Sequence, residues 1–452
     1  MIARRRLGQA ALAFSLLFVV SGTASAEIVV RGVRDGVLAL DVKGTPYVAY
    51  VRGKSLVVSV RSANGRWHAA KADAVSAGSQ VMAFEVGAAG PVVLVISADN
   101  RRLELVRRHL VGWQAIRLNA RRGVHGLLGW PGLALDRGGL PVVAYTRWNS
   151  SSFNSQLLLT RLDTHGRLHT RRITAEGFPK SYVPPPAEPV LVGGRVHVIE
   201  SYGYRGTVGT LEWFPQKRTW TGFGLDAGVG DFPIGAVFGG VGHDGFVHAA
   251  WTESLFSFGS EAPVTLASRG RESDSRFVLD RALTTALALP ASGPEVAANE
   301  WMSTDDLGLQ GSKYLWAGTI VRGESHVELD GWVAGLAAAP RGARDVLLVG
   351  PAGLSWFRSP RRLATRVTIG ATDQGDGSVQ LSGRVSGVAS GTIALYRERP
   401  GEPRMLIGRR PVSGGAFSVV DRPTARPLLY RAVYTDPSNG LPYAALLREP
   451  IQ

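Results

Sequence analysis

The sequence predicts an all-β protein, a β-propeller followed by a smaller β-sandwich. Three observations carry this. The stretch LALDVKGTPYVAY at 38–50 is written again as LALDRGGLPVVAY at 133–145. Short alternating apolar runs broken by Gly, Asn and Asp turns recur through most of the chain, as half-buried strands in hairpins do. After Arg361-Arg362 the texture shifts to seven further short runs without the longer period.

The first 26 residues stand apart. Arg4, Arg5 and Arg6 precede an apolar run from Ala10 to Val20, and Ala24-Ser25-Ala26 supplies small residues for cleavage. This pattern predicts a secretory signal peptide over 1–26, with twin-arginine export as an alternative. The apolar run is too short for a comfortable bilayer span, so no membrane span is expected after signal removal.

In the first repeat LAL ends at Asp41, Lys43-Gly44 turns, and Pro46 opens a second alternating run. SLVVSV is a third strand, and Ser62-Ala63-Asn64-Gly65 turns into a fourth at Arg66-Trp67-His68. Second strands are then expected at PYVAYV (46), PVVLVIS (91), PVVAYT (141), RVHVIES (195), FVHAAWTES (246), KYLWAGT (313) and DVLLVG (345). The spacings are 45, 50, 54, 51, 67 and 32 residues. A period of four strands per 40–50 residues is that of propeller blades. Seven blades are expected, with six or eight as alternatives. Glu27-Ile28-Val29-Val30 is expected to complete the last blade and close the ring.

These repeats resemble those of bacterial secreted propellers of the sialidase-like and BNR-type kind, over about residues 27–362. The resemblance implies a fold and no particular activity. Sialidases also carry an F-R-I-P motif near the start, where this chain has Phe357-Arg358-Ser359-Pro360 at the end of the propeller. Their S-x-D-x-G-x-T-W box is one residue short at Ser62–Trp67. From 363 to 452, GTIALYRERPGEPRMLI and LLYRAVYTDPSNG resemble bacterial immunoglobulin-like modules, implying a β-sandwich.

Composition narrows the partners. The chain has 452 residues, 45% hydrophobic and 19% charged, and no cysteine, so its core must stabilise it without disulfides. Net charge is +15, which suits an anionic partner. Yet only six of the 51 basic residues are Lys, and the arginines are scattered as pairs, a coding-bias pattern. With export, this argues against nucleic acid. No HExxH or GxSxG is present, and no cofactor or metal is expected. The turn of Asp373, Asp376 and Gly377 lacks the length of a dedicated Ca²⁺ loop.

Loops after the second strands of blades three to five are long and rich in aromatic and polar residues, which suit sugar rings and their hydroxyls. Arg147, Trp148, Asn149, Phe153, Glu200, Tyr202, Tyr204, Arg205, Glu253 and Phe256 are the expected ligand-binding residues there. Tyr145 and Trp251 align with Tyr50, a register that also suits core between blades. His197 and His248 share one register and read as packing residues.

The expected function is an exported, non-catalytic recognition protein. Its ligand is expected to be a glycan, a cell-envelope polymer or another exported protein. One alternative is a glycoside hydrolase or lyase using carboxylates at the channel mouth, with Glu200, Asp231, Glu253, Glu300 and Asp305 available. The other is a scaffold in a surface complex.

Overall fold

The computed structural model describes residues 27–109, 112–119, 127–149, 154–173, 186–202, 207–214, 219–224, 233–253, 264–269, 273–279, 282–303, 314–323, 325–359, 363, 365–388, 390–398, 404–424, 429–447 and 451. Residues 1–26, the expected signal peptide, lie outside them. Among the described residues the chain is strand throughout, apart from one 3₁₀ turn at Pro340–Gly342. No helix there is long and apolar enough to cross a membrane.

The strands form consecutive antiparallel sheets. The first runs Val37–Leu40, Pro46–Arg52, Ser55–Arg61, Trp67–Ala74. The second begins at Gln80–Gly87 and the third at Gly132–Leu135, with Leu127–Leu128 pairing the same neighbour. The fourth, fifth and sixth begin at Ala187–Val192, Pro233–Val241 and Ala282–Ala288. The seventh takes Trp332–Ala338, Arg344–Gly350 and Gly353–Ser359 from late in the chain. Its outer strand is Glu27–Arg31, from the beginning of the described chain. Each leading strand touches the next, and Trp332–Ala338 returns to Val37–Leu40, so the ring closes and the fold is a β-propeller.

Strand alternation explains the stacking. Val93 and Val95 of the second sheet pack with Ala49 and Val58 of the first. Val92, Leu94 and Ile96 point the other way, into Leu133 and Tyr145 of the third. The same division recurs between third and fourth, fourth and fifth, and fifth and sixth sheets. Each sheet thus buries both faces, at roughly 1.5–3 kcal/mol for each fully buried Val or Leu. Tyr50, Tyr145 and Trp251 are all buried in this inter-sheet core.

The repeated sequence has a local cause. Asp41 Oδ1 accepts the backbone N–H of Lys43 and Thr45 at 2.9 and 2.8 Å. Asp136 Oδ1 accepts those of Gly138 and Leu140, both at 2.9 Å. Gly44 and Gly139 complete the two turns at φ of +78° and +74°, a region that disfavours side chains. The repeat therefore writes one Asp-anchored hairpin twice.

One expectation needs correction. KYLWAGT is not a second strand: Tyr314–Arg322 is the third strand of the sixth sheet, and Glu295–Ser303 is the second. EVAANEWMS was missed because buried Glu295 and Asn299 interrupt its apolar pattern. Both are satisfied internally, Glu295 by Arg344 and Asn299 by the backbone of Val333. The uneven spacing around residue 313 follows from this misassignment.

Beyond residue 363 seven strands lie where the sequence places them, from Arg366–Asp373 to Pro442–Leu446. Ser390–Glu398 pairs with both Met405–Ser413 and Leu429–Thr435, and Arg366–Asp373 contacts the last two strands, so the unit closes on itself. It meets the sixth sheet where Leu329 pairs with Tyr443, and one apolar core runs across that junction.

Candidate functional site

The leading strands surround the centre of the ring, and three glutamates lie on or beside them. In Gln80–Gly87, Phe84 and Val86 enter the core shared with the first sheet, so Glu85 between them points the other way. Glu188 lies on Ala187–Val192, opposite Ile199, and Glu200 lies opposite Ala187 on the neighbouring strand.

Gly132, on the third leading strand, makes room for Glu188. A Cβ there would collide with Oε2 of Glu188 and stand 2.7 Å from its Cδ. Glu188 therefore reaches from the fourth sheet to the leading strand of the third. Burial pushes the Glu85 carboxyl up to about 7. Glu85 is nevertheless exposed, so the upward direction rests on the protein packed around the carboxyl and is partly screened. Burial raises Glu188 well above the carboxylate range, and the charge of Glu85 raises it further. No hydrogen bond joins the two among the described residues; they interact through space. Glu200 is 1% accessible, burial raises it strongly, and its Oε2 has no hydrogen-bond partner among the described residues.

Both carboxyl groups therefore favour their protonated forms, Glu188 in part because of the charge of Glu85. Such a pair can give a proton to a leaving oxygen and take one from water. Glu85 and Glu188 were not singled out in the sequence. The available signal was a single acid inside an otherwise apolar leading strand, in QVMAFEVG and AEPVLV.

Six of the ten expected ligand residues fall within the described strands. Arg147 is half-buried and Trp148 is buried on Pro141–Asn149. Asn149, Tyr202 and Glu253 are the last residues of their strands. Glu200 is the buried acid opposite Ala187. Phe153, Tyr204, Arg205 and Phe256 lie outside the described residues, as do Asp231 and Asp305. Glu300 accepts a hydrogen bond from the Thr319 hydroxyl at 2.8 Å.

Other polar groups have structural partners. His248 is buried between Ser268, 2.7 Å from Nδ1, and Asp244, 3.0 Å from Nε2, which ties strand to turn. His197 is buried 4.0 Å from Glu212. Asp373 and Asp376 accept backbone N–H groups of their own turn. Arg358 of the Phe-Arg-Ser-Pro stretch binds Asp345 and the Gly44 carbonyl, holding the seventh sheet to the first.

No family model matches the chain. No curated protein matches it either. Solved structures do. An α-L-arabinanase from Penicillium chrysogenum, complexed with arabinobiose, is 10% identical over 75% of this chain and 98% of its own, with a TM-score of 0.41. The propeller domain of the Trilobed protease from Pyrococcus furiosus is 8% identical over 82% and 95%, with a TM-score of 0.34. Sucrose-6-phosphate hydrolase from Lactobacillus gasseri is 9% identical over 100% and 92%, also with a TM-score of 0.34. At these identities the likeness concerns the fold. The expected non-catalytic recognition role is corrected to this extent: glycoside hydrolases are among the similar solved structures.

Proposed function

We propose that the chain is a glycoside hydrolase that works in the propeller channel. The observation that carries this is that the Glu188 carboxyl reaches Gly132 of the third sheet and is raised by the charge of Glu85 from the second, with no ion pair at either carboxyl among the described residues. Glu188, the more strongly raised, is the general acid that protonates the leaving glycosidic oxygen. Glu85, poised near neutrality, is the base that takes a proton from the attacking water.

Further readings of the chain belong with this proposal. The ring reads as seven blades closed by residues 27–31. Residues 27–362 form the propeller, related in its repeats to sialidase-like and BNR-type propellers, and 363–452 an immunoglobulin-like module. Residues 1–26 are an export signal, which delivers the enzyme to extracytoplasmic glycans.

The test is reducing-end release from a panel of arabinan, galactan, fructan, xylan and sialylated glycans. The chain is expected to cleave at least one. Glu188→Gln and Glu85→Gln are each expected to lower its rate about 100-fold or more, with unchanged circular dichroism. Cleavage of none of the panel, or undiminished cleavage by both variants, would overturn the reading.

A further inference from the structure

On the outer side of the third sheet a cavity of about 1030 Å³ is walled by arginines. Register divides them. Tyr145 pairs with Leu158 and Leu158 with Arg172, so Arg147, Gln156 and Arg172 share the face toward the second sheet, where Arg117 meets them. Leu159 pairs with Arg171 and Arg161 with His169, so these share the face toward the fourth sheet, where Arg195 meets them. The cavity thus wraps both sides of the strand Leu168–Ile173, and no carboxylate lines it. Arg195 is paired with Glu212 at 3.4 Å and His169 with Asp163 at 2.9 Å. Arg117, Arg161 and Arg172 have no such partner among the described residues and are exposed.

We propose that this cleft binds an acidic polysaccharide, a chain bearing carboxylate groups at intervals, independently of the hydrolytic channel. Guanidinium forks match carboxylates in two-pronged geometry. The cavity is at the upper end of the size range of small-molecule pockets, so it suits several sugar residues. A single-stranded nucleic acid would need exposed aromatic faces for its bases. The only aromatic carbocycle in the wall, Tyr145, is wholly buried, and its face is used by the core.

The experiment measures binding of labelled oligogalacturonate to the full chain by fluorescence anisotropy at low and moderate salt. Neutral galactan and a single-stranded DNA of equal charge serve as comparisons. Oligogalacturonate is expected to bind, and neutral galactan not to. Arg117→Glu with Arg172→Glu is expected to weaken binding at least about tenfold. The same charge change at Arg31 and Arg409, far from the cleft, is expected to alter it less than about twofold. Three results would overturn the proposal: no oligogalacturonate binding, equal losses in the two double variants, or DNA binding as tight as oligogalacturonate binding. Circular dichroism of each variant separates lost binding from lost fold.

Discussion

Arg61 grips Glu27 through two hydrogen bonds, Nε to Oε2 and Nη2 to Oε1, each 2.6 Å long. Glu27 belongs to the strand that completes the seventh sheet, and Arg61 to the third strand of the first. The same guanidinium stands 4.8 Å from the ring of Trp356, which meets Trp67 edge-on at 5.9 Å. One ion pair therefore ties the two ends of the ring together.

Glu27→Gln and Arg61→Ala are each expected to lower unfolding stability by about 1 kcal/mol, since the pair is partly exposed and the cation–π contact adds a little. The double variant should cost less than the sum of the two. A double-mutant cycle in urea measures this; strict additivity would show that the pair contributes nothing to closure.

Glu85 predicts how stability changes with pH. Its folded pKa of about 7 lies above its ordinary value of 4.5, so the folded state holds the proton more tightly. The associated stability is fully present below about pH 4.5 and is lost as pH rises toward 7. Glu85 is exposed, so solvent screens part of the effect and a loss of about 1 kcal/mol is expected. Glu188 shares this titration with it, which extends the fall upward in pH. Glu85→Gln should flatten the lower part of the curve. An unchanged slope between pH 4.5 and 7 in that variant would show that Glu85 is not the titrating group.

Gly132→Ala tests the geometry of the pair without touching either acid. The added methyl group must displace the Glu188 carboxyl or the strand beneath it. Stability is expected to fall by about 1–3 kcal/mol, as overpacking does. If the channel is catalytic, the rate should fall by more than the loss of folded protein explains. Wild-type rate with wild-type stability would mean that Glu188 does not lie across Gly132.

The ring was legible in the sequence where local chemistry repeats. Asp41 and Asp136 anchor identical turns, and the alternation in PVVLVI assigns Val93 and Val92 to opposite neighbours. Legibility failed where a polar residue is satisfied at long range. Glu295 and Asn299 break an apolar pattern, and their partners Arg344 and Val333 lie in another sheet. The same limit hid the site. Glu85 and Glu188 are unremarkable in their own strands; only ring closure sets them near each other, and only Gly132 shows the path between them.

Asp330 offers a last test, at the seam between the ring and the C-terminal unit. Arg404 donates two hydrogen bonds to it, at 2.6 and 2.8 Å, and Arg431 lies 3.7 Å away. Both arginines belong to the C-terminal unit, and Asp330 follows the sixth sheet directly. Arg431 keeps Glu398 as a second partner at 2.5 Å, whereas Arg404 has no other carboxylate in direct contact among the described residues. Asp330→Ala therefore leaves a buried guanidinium uncompensated and should cost about 3 kcal/mol. Arg404→Ala should cost less, because Asp330 then remains near Arg431. The charge loss is confined to the seam, so limited proteolysis near residue 363 should accelerate in Asp330→Ala ahead of any global unfolding. Equal costs for the two variants, with unchanged cleavage, would show that the apolar core across the junction holds the units together without this pair.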